Sequence, residues 1–352
     1  MCDQMKDTYG YWDRMKLADC AMGFGKGTTG GKDGEIYLVT SSDDGDVVSP
    51  KPGTIRHAVI QEYPVWIIFS GDMVITLKEE LIITSDTTID GRGANVVFNG
   101  RSGLTIQFVE NVIIHGVTIR DMSPGGNTMV RSSTSHYGYR MKSDGDGICI
   151  FGSKNVWIDH CNLQSCTDGL IDAVMGSTDI TVSNNYFANH NEVMLFGHAD
   201  SYTPDTNMRA TIAYNYFAEG LTQRMPRCRH GHFHVVNNKY ERWKMYAIGG
   251  SANPFILAEG NHFIAPDDPF AKEVTKHEVA PESEWQGWYW RSYGNTESNG
   301  AFFTESGADS DSIYQTVSSL STQPPEFTES LIANVGPLNC NSGQNPRQII
   351  CY

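Results

Sequence analysis

A right-handed parallel β-helix is the fold class that this sequence predicts, and three observations predict it. The first is an internal repeat of short apolar alternations about 23 residues apart. The second is an asparagine recurring at one point of that repeat. The third is a composition of 35 glycines and 39% hydrophobic residues, with frequent Asn and Thr, which favours turns and short strands over long helices.

The chain has 352 residues, enough to bury a sizeable core, and is expected to form one domain over 1–352. Within it, 1–35 reads as an N-terminal cap segment and 304–352 as a C-terminal extension packing on the helix. Tyr11–Cys20 carries apolar Trp12, Met15, Leu17 and Ala18, the pattern of a short amphipathic helix capping one end. Ser310–Leu320 is expected to do the same at the other end. The coils themselves are expected from about Ile36 to Phe303.

The repeat is carried by NVIIHGVTIRDM (Asn111–Met122), NVWIDHCNLQSC (Asn155–Cys166), DITVSNNYFANH (Asp179–His190), RATIAYNYFAEG (Arg209–Gly220), FHVVNNKYERW (Phe233–Trp243) and FILAEGNHFIA (Phe255–Ala265). Aligning Val117, Cys161, Asn185, Asn215, Asn238 and Asn261 gives steps of 44, 24, 30, 23 and 23. A step of 30 is one coil with a longer loop; 44 is two coils or one with a large insertion. Asn185, Asn215, Asn238 and Asn261, each in an N-x-[FY] context, are expected to stack as a hydrogen-bonded ladder. Between Asp267 and Trp290 the pattern lapses, which predicts a loop packed on the outside.

Charge and cysteines bound the function. With 41 acidic against 26 basic residues the formal net charge is -15, which argues against nucleic acid as a partner. No apolar run approaches the roughly 18 residues of a membrane span, so no membrane partner is expected. Eight cysteines suit an oxidised, secreted chain, with Cys2/Cys20 and Cys340/Cys351 bracketing the two ends and Cys161 and Cys166 five apart. No signal peptide is visible, and Met1 directly before Cys2 reads as an added start residue.

Two acidic clusters carry the chemistry. SDGDG offers Asp144 and Asp146, and CTDGLIDA offers Asp168 and Asp172, 24 and 26 residues further on. Carboxylates two apart on an extended segment share a face, and four oxygen donors from adjacent coils suit a hard cation such as Ca²⁺. Downstream, TQRMPRCRHG gathers Arg224, Arg227 and Arg229 in an otherwise acidic protein. Arg224 and Arg229 are expected to face the aspartates across a groove, with Arg227 pointing away.

Other motifs read as structural. GFGKGTTGG (Gly23–Gly31) lacks the GxxxxGK[ST] order of a phosphate loop. His57, His115, His136 and His160 read as hydrogen-bonding residues, and HGHFH (His230–His234) as packing. Trp285, Trp288 and Trp290 read as exterior packing or as platforms for sugar rings.

These blocks together resemble the plant pectate lyases of polysaccharide lyase family 1, in the branch that includes pollen allergens. The resemblance runs over nearly the whole chain through LADCAMGFGKGTTGGKDGEIYLVT, KPGTIRHAVIQEYPVWIIF, MVRSSTSHYGYRMKSDGDG, VWIDHCNLQSCTDGLIDAVMGSTDITVSNNYF and QRMPRCRHG. It implies calcium-dependent cleavage of de-esterified homogalacturonan by β-elimination in a secreted, cell-wall protein, expected to be a monomer. By that likeness Asp168 and Asp172 are the main calcium ligands, with Asp144 and Asp146 beside them. Arg224 matches the catalytic base, and Arg229 the arginine that grips a substrate carboxylate.

One position departs from the family. Active relatives read H-x-K-V-M-L, with a lysine that binds a substrate carboxylate; here NHNEVMLFGH places Glu192 there. Replacing a cation by an anion beside a polyanion removes an attraction and adds a repulsion, roughly 1–3 kcal/mol each in a desolvated cleft. The implied outcomes are a weakened lyase, a non-catalytic pectate-binding wall protein, or a further calcium ligand at Glu192. A β-helical glycoside hydrolase is the other enzyme class, disfavoured because its N-T-D and G-H-G signatures are missing and hydrolysis has no use for two arginines.

Overall fold

The computed structural model describes residues 12–351. Three parallel sheets of ten, nine and eight strands run the length of the molecule, and successive coils add one strand to each. The ten-stranded first sheet runs from Glu35–Val39 to Trp290–Tyr293, and the nine-stranded second from Met73–Leu77 to Thr296–Ser298. The third sheet runs from Leu81–Ile83 to Thr275–His277. This is the parallel β-helix that the repeat predicts, over nearly the expected span.

Alternation explains the core. Along the first sheet Val65, Ile67, Val112, Ile114, Val156, Ile158, Ile180 and Val182 point inward and are fully buried. β-Branched side chains suit this pleated, crowded surface. Thr118 pairs directly with Asn162, so the step of 44 is one coil with an insertion. The insertion is an antiparallel hairpin of Thr128–Arg131 and Tyr137–Arg140.

The asparagine ladder forms as expected and extends one rung further. Asn185, Asn215, Asn238 and Asn261 each donate Nδ2 to the next rung's Oδ1 at 2.9–3.0 Å, and Asn295 closes the series. The same Oδ1 atoms accept the preceding rung's backbone N–H, which satisfies a fully buried bend. Asn295 escapes the motif because Thr296 and Glu297 follow it. The aromatic of N-x-[FY] does its own work: Phe187, Phe217, Tyr240 and Phe263 stack at centroid spacings of 4.6–5.1 Å.

Both terminal segments depart from expectation. Arg14–Cys20 is a 3₁₀ helix, and it does not sit over an end. Met15 and Ala18 pack on Trp66, Ile68, Ile113 and Trp157, the outward side chains of the first sheet. The first coil is covered instead by the α-helix Ile55–Val59, whose Ile55, Ala58 and Val59 join the core. The helix Asp311–Val317 likewise lies against the flank of the first sheet, on its strands His232–Val236 and Phe255–Glu259. The physical reason is a row of polar outward residues that needs partners. Thr88, Thr181 and Thr211 accept the backbone N–H groups of Gly31, Gly25 and Phe24, and His234 accepts those of Ser319 and Leu320. The glycine-rich loop is therefore a cover strip, and its glycines let the backbone come this close. A Cβ at Gly31 would run into the carbonyl of Val65.

Cys340 and Cys351 form the expected disulfide. Cys2 lies outside the described residues, and Cys161 and Cys166 are free thiols. The stretch expected as an outer loop after Asp267 contains the third-sheet strand Thr275–His277. It ends with Trp288 and Trp290 in the core, where the His277 ring stacks on Trp285 and Trp290 at 4.1 Å each. Trp288 and Trp290 close the last coils and are too buried to stack on a sugar ring.

Candidate active site

The outward face of the third sheet carries one continuous row in register: Thr105, Cys149, Asp172, Leu195, Arg227 and Gly249. A second row two residues on includes Arg229 beside Ser251. Asp144 and Asp146 occupy the turn before the strand Ile148–Phe151, and Asp168 the turn before Ile171–Val174. Thus the coil spacing read from the sequence brings all four aspartates to one end of one face.

The carboxylates converge on Gly169. Its backbone N–H donates to Asp146 Oδ1 at 2.9 Å. A Cβ at this position would collide with Asp172 Oδ1 and come within 3.3 Å of Asp146 Oδ1, so only glycine leaves the space open. Burial, then the charges of Asp168 and Asp144, push Asp146 up to about 7. Burial, then Asp146 and Asp168, push Asp172 well above the carboxylate range against the pull of Arg224. An all-oxygen donor set that resists its own ionisation is the chemistry that fits a hard divalent cation. A cleft of about 250 Å³ opens beside it, lined by Asp168, His190 and Glu192 among others.

The four aspartates are more open than the buried group His115, Asp159 and His160, whose donor atoms all lie within 4.8 Å. Its carboxylate is accounted for by hydrogen bonds. Asp159 Oδ2 meets both imidazole Nδ1 atoms at 2.9 and 2.7 Å, and Oδ1 accepts from Ser183 and Asn184. These histidines hold the structure together, as the sequence suggests.

The arginines differ from expectation in one respect. Arg224 has a left-handed backbone (φ 62) and precedes the strand Arg227–Arg229, so counting alternation from it misplaces Arg227. Arg227 shares the outward row of Asp172 and the face of Arg229, with Cys228 buried between them. Arg227 therefore lines the groove.

Each arginine already faces a carboxylate, and none of those is one of the four aspartates. Arg224 Nη2 lies 2.9 Å from Glu192 Oε1, Arg227 Nη2 lies 2.8 Å from Glu278 Oε2, and Arg229 Nε lies 3.2 Å from Asp200 Oδ1. Asp200 also accepts Ser251 Oγ, and Arg229 donates Nη1 to the Gly197 carbonyl. Burial lowers the Arg229 pKa, Arg227 and Arg224 add to that, and Asp200 opposes it. Glu192 reaches Arg224 because their turns stack: Glu192 bridges Gln223, and Met194 N donates to the Arg224 carbonyl at 2.7 Å.

Sequence reasoning missed Asp200, Arg227 and Glu278. The T-x-H alternation of Thr275–His277 was the one available signal for Glu278, since it supplies a strand that ends beside it. Asp200 sits in the 30-residue coil's long loop, where no periodicity points.

Fold and groove together define a β-helical protein of the polysaccharide-lyase class. The chain belongs to the pectate lyase family, whose model matches residues 25–281. It is 60% identical over 331 residues to probable pectate lyase 5 of Arabidopsis thaliana, covering 94% of this chain and 81% of that one. To putative pectate lyase 14 of the same plant it is 62% identical over 301 residues, covering 86% and 69%. Among solved structures it is similar to Jun a 1, the major allergen from cedar pollen, with TM-score 0.90 and 44% identity over 96% of this chain and 97% of that one. A pectate lyase bound to hexasaccharide, at 20% identity and TM-score 0.64 over 91% and 97% of the two chains, shares the fold.

Proposed function

We propose that this chain cleaves pectate, the de-esterified form of homogalacturonan, by β-elimination in the groove on the third sheet. One observation carries the reading: Asp172 and Arg227 share an outward row of the third sheet, with Asp146 and Asp168 close to Asp172 and Arg229 two residues on from Arg227. Asp168 and Asp172 would hold Ca²⁺, with Asp144 and Asp146 beside them. When bound, the ion polarises a uronate carboxylate and makes the neighbouring C5 proton more acidic. Asp146 and Asp172 supply the negative charge that keeps such an ion in place. Arg229 and Arg227 line the wall that receives a substrate carboxylate. Arg224, as the neutral guanidine, takes the C5 proton; the C5–H electron pair forms the C4–C5 double bond as the C4–O bond breaks, and the departing oxygen takes a proton from water. A neutral guanidine is scarce at neutral pH, so the rate is expected to rise into the alkaline range.

A second reading is favoured by the ion pair of Glu192 and Arg224. An arginine occupied by an internal carboxylate is poorly placed to act on a substrate, and the chain then binds pectate with little turnover. Secretion to the plant cell wall accords with both readings, and no helix among the described residues is long and apolar enough to cross a membrane.

The test is incubation with polygalacturonate, with calcium or with chelator, from neutral to alkaline pH, following absorbance of the unsaturated product. Product that forms with calcium and stops with chelator is the expected result. No product under any condition overturns the lyase reading; product that survives chelation overturns the calcium role.

A further inference from the structure

The hairpin inserted before the aspartates has a surface that the fold does not use. Met129 faces Tyr139 across its two strands, and alternation sends both outward with Tyr137 while Val130 is buried. Tyr137 and Tyr139 are 49% and 62% exposed, and Met141, just beyond, is 78% exposed. An exposed apolar stripe on a hairpin so firmly anchored calls for a ligand.

The foot of the hairpin stands in the groove. Arg140 holds both Glu80 carboxylate oxygens, and Glu80 accepts from Thr105 Oγ1 at 3.2 Å. Thr105 belongs to the outward row that continues through Cys149 to Asp172. Beyond the strand the chain runs on through Met141 and Lys142 to Asp144 and Asp146. Lys142 is exposed and forms no ion pair among the described residues, in a chain of net charge -15. A tyrosine–methionine surface matches the apolar C–H face of a pyranose ring, and the exposed Lys142 ammonium, on the stretch that leads from the hairpin to the aspartates, matches the carboxylate of a uronate.

We infer that this hairpin is a distal polyuronate subsite, where Tyr139 and Met129 stack on a sugar ring and Lys142 pairs with its carboxylate. It lies on the Thr105 side of the aspartates, so it engages chains long enough to extend past them. The inference rests on the pectate reading above.

Tyr139→Ala and Lys142→Ala test it, each checked for an unchanged melting temperature, since both side chains are exposed. The KM on polygalacturonate is expected to rise roughly tenfold in each. The KM on trigalacturonate, too short to reach the hairpin, is expected to change less than twofold. Binding is measured separately by retardation in polygalacturonate-containing gels, on an Arg224→Ala background that removes turnover. Variants that bind less, together with a parent that shows no cleavage, uphold the subsite and overturn the lyase reading. A parent that cleaves, with variants unchanged at every chain length, overturns the subsite alone. A parent that neither binds nor cleaves overturns both.

Discussion

Glu192 Oε1 lies 2.9 Å from Arg224 Nη2, so the arginine proposed to attack the substrate is held by a carboxylate of its own chain. The two side chains are 28% and 20% exposed, and the pair is partly desolvated. A uronate must compete with Glu192 for that guanidinium. Glu192→Gln is expected to raise kcat/KM on polygalacturonate about tenfold, and Glu192→Lys further, read from the rate of unsaturated product. An active parent with an unaltered Glu192→Gln would show that the pair does not limit turnover.

Arg224→Ala should separate chemistry from folding. Product formation is expected to fall at least about a hundredfold, as for loss of a group that acts in the transition state. Stability should change by no more than about 1 kcal/mol, because a partly exposed ion pair contributes little. Urea unfolding and product absorbance on the same preparation check both halves.

The aspartate cluster makes stability depend on pH in a direction opposite to the usual carboxylate. Asp146, raised to about 7, favours the protonated folded state. The stability it contributes is fully present below the unfolded value near 4 and is lost as pH rises through about 7. Calcium bound there, as proposed, would offset the loss. The rise in melting temperature from chelator to calcium is expected to be larger at pH 8 than at pH 5. An equal rise at both pH values would place the bound ion elsewhere.

On the far side of the molecule Asp90 behaves in the opposite sense. Burial pushes its carboxyl up, but Arg92 and Arg14 outweigh burial and hold it well below the ordinary range. Trp66 Nε1 and Arg14 both donate to its Oδ2, tying the N-terminal segment to the first sheet. Asp90→Asn leaves two buried guanidinium groups uncompensated, at a cost of about 3–5 kcal/mol in urea unfolding. Lyase activity below the unfolding transition should be retained, since Asp90 lies on a different sheet.

In the ladder, Asn215 Oδ1 accepts from Asn185 N and Nδ2, and its own Nδ2 donates to Asn238 Oδ1 and the Val182 carbonyl. Asn215→Ala strands several buried polar groups together and is expected to cost roughly 3 kcal/mol or more. The midpoint of urea unfolding measures it. A shift of under 1 kcal/mol would show that water replaces the amide.

Period alone determined the architecture. A repeat of about 23 residues, alternating inward side chains and a recurring asparagine are local signals, and each coil buries itself only by stacking on the next. The same period placed Asp144, Asp146, Asp168 and Asp172 on one face, because carboxylates a coil apart must fall on neighbouring rungs. Only the tertiary structure decided who pairs with the arginines. Glu192, Asp200 and Glu278 lie 32, 29 and 51 residues from Arg224, Arg229 and Arg227. Loop lengths within coils, which no periodicity encodes, fix whether such charges meet. The terminal segments follow the same rule. Their amphipathic pattern announced that they cover something apolar, but the threonine row and Trp66 and Trp157 drew them along the flank of the first sheet. A pattern specifies which side of a segment is buried; the surface offering unpaired donors, acceptors and apolar area settles where.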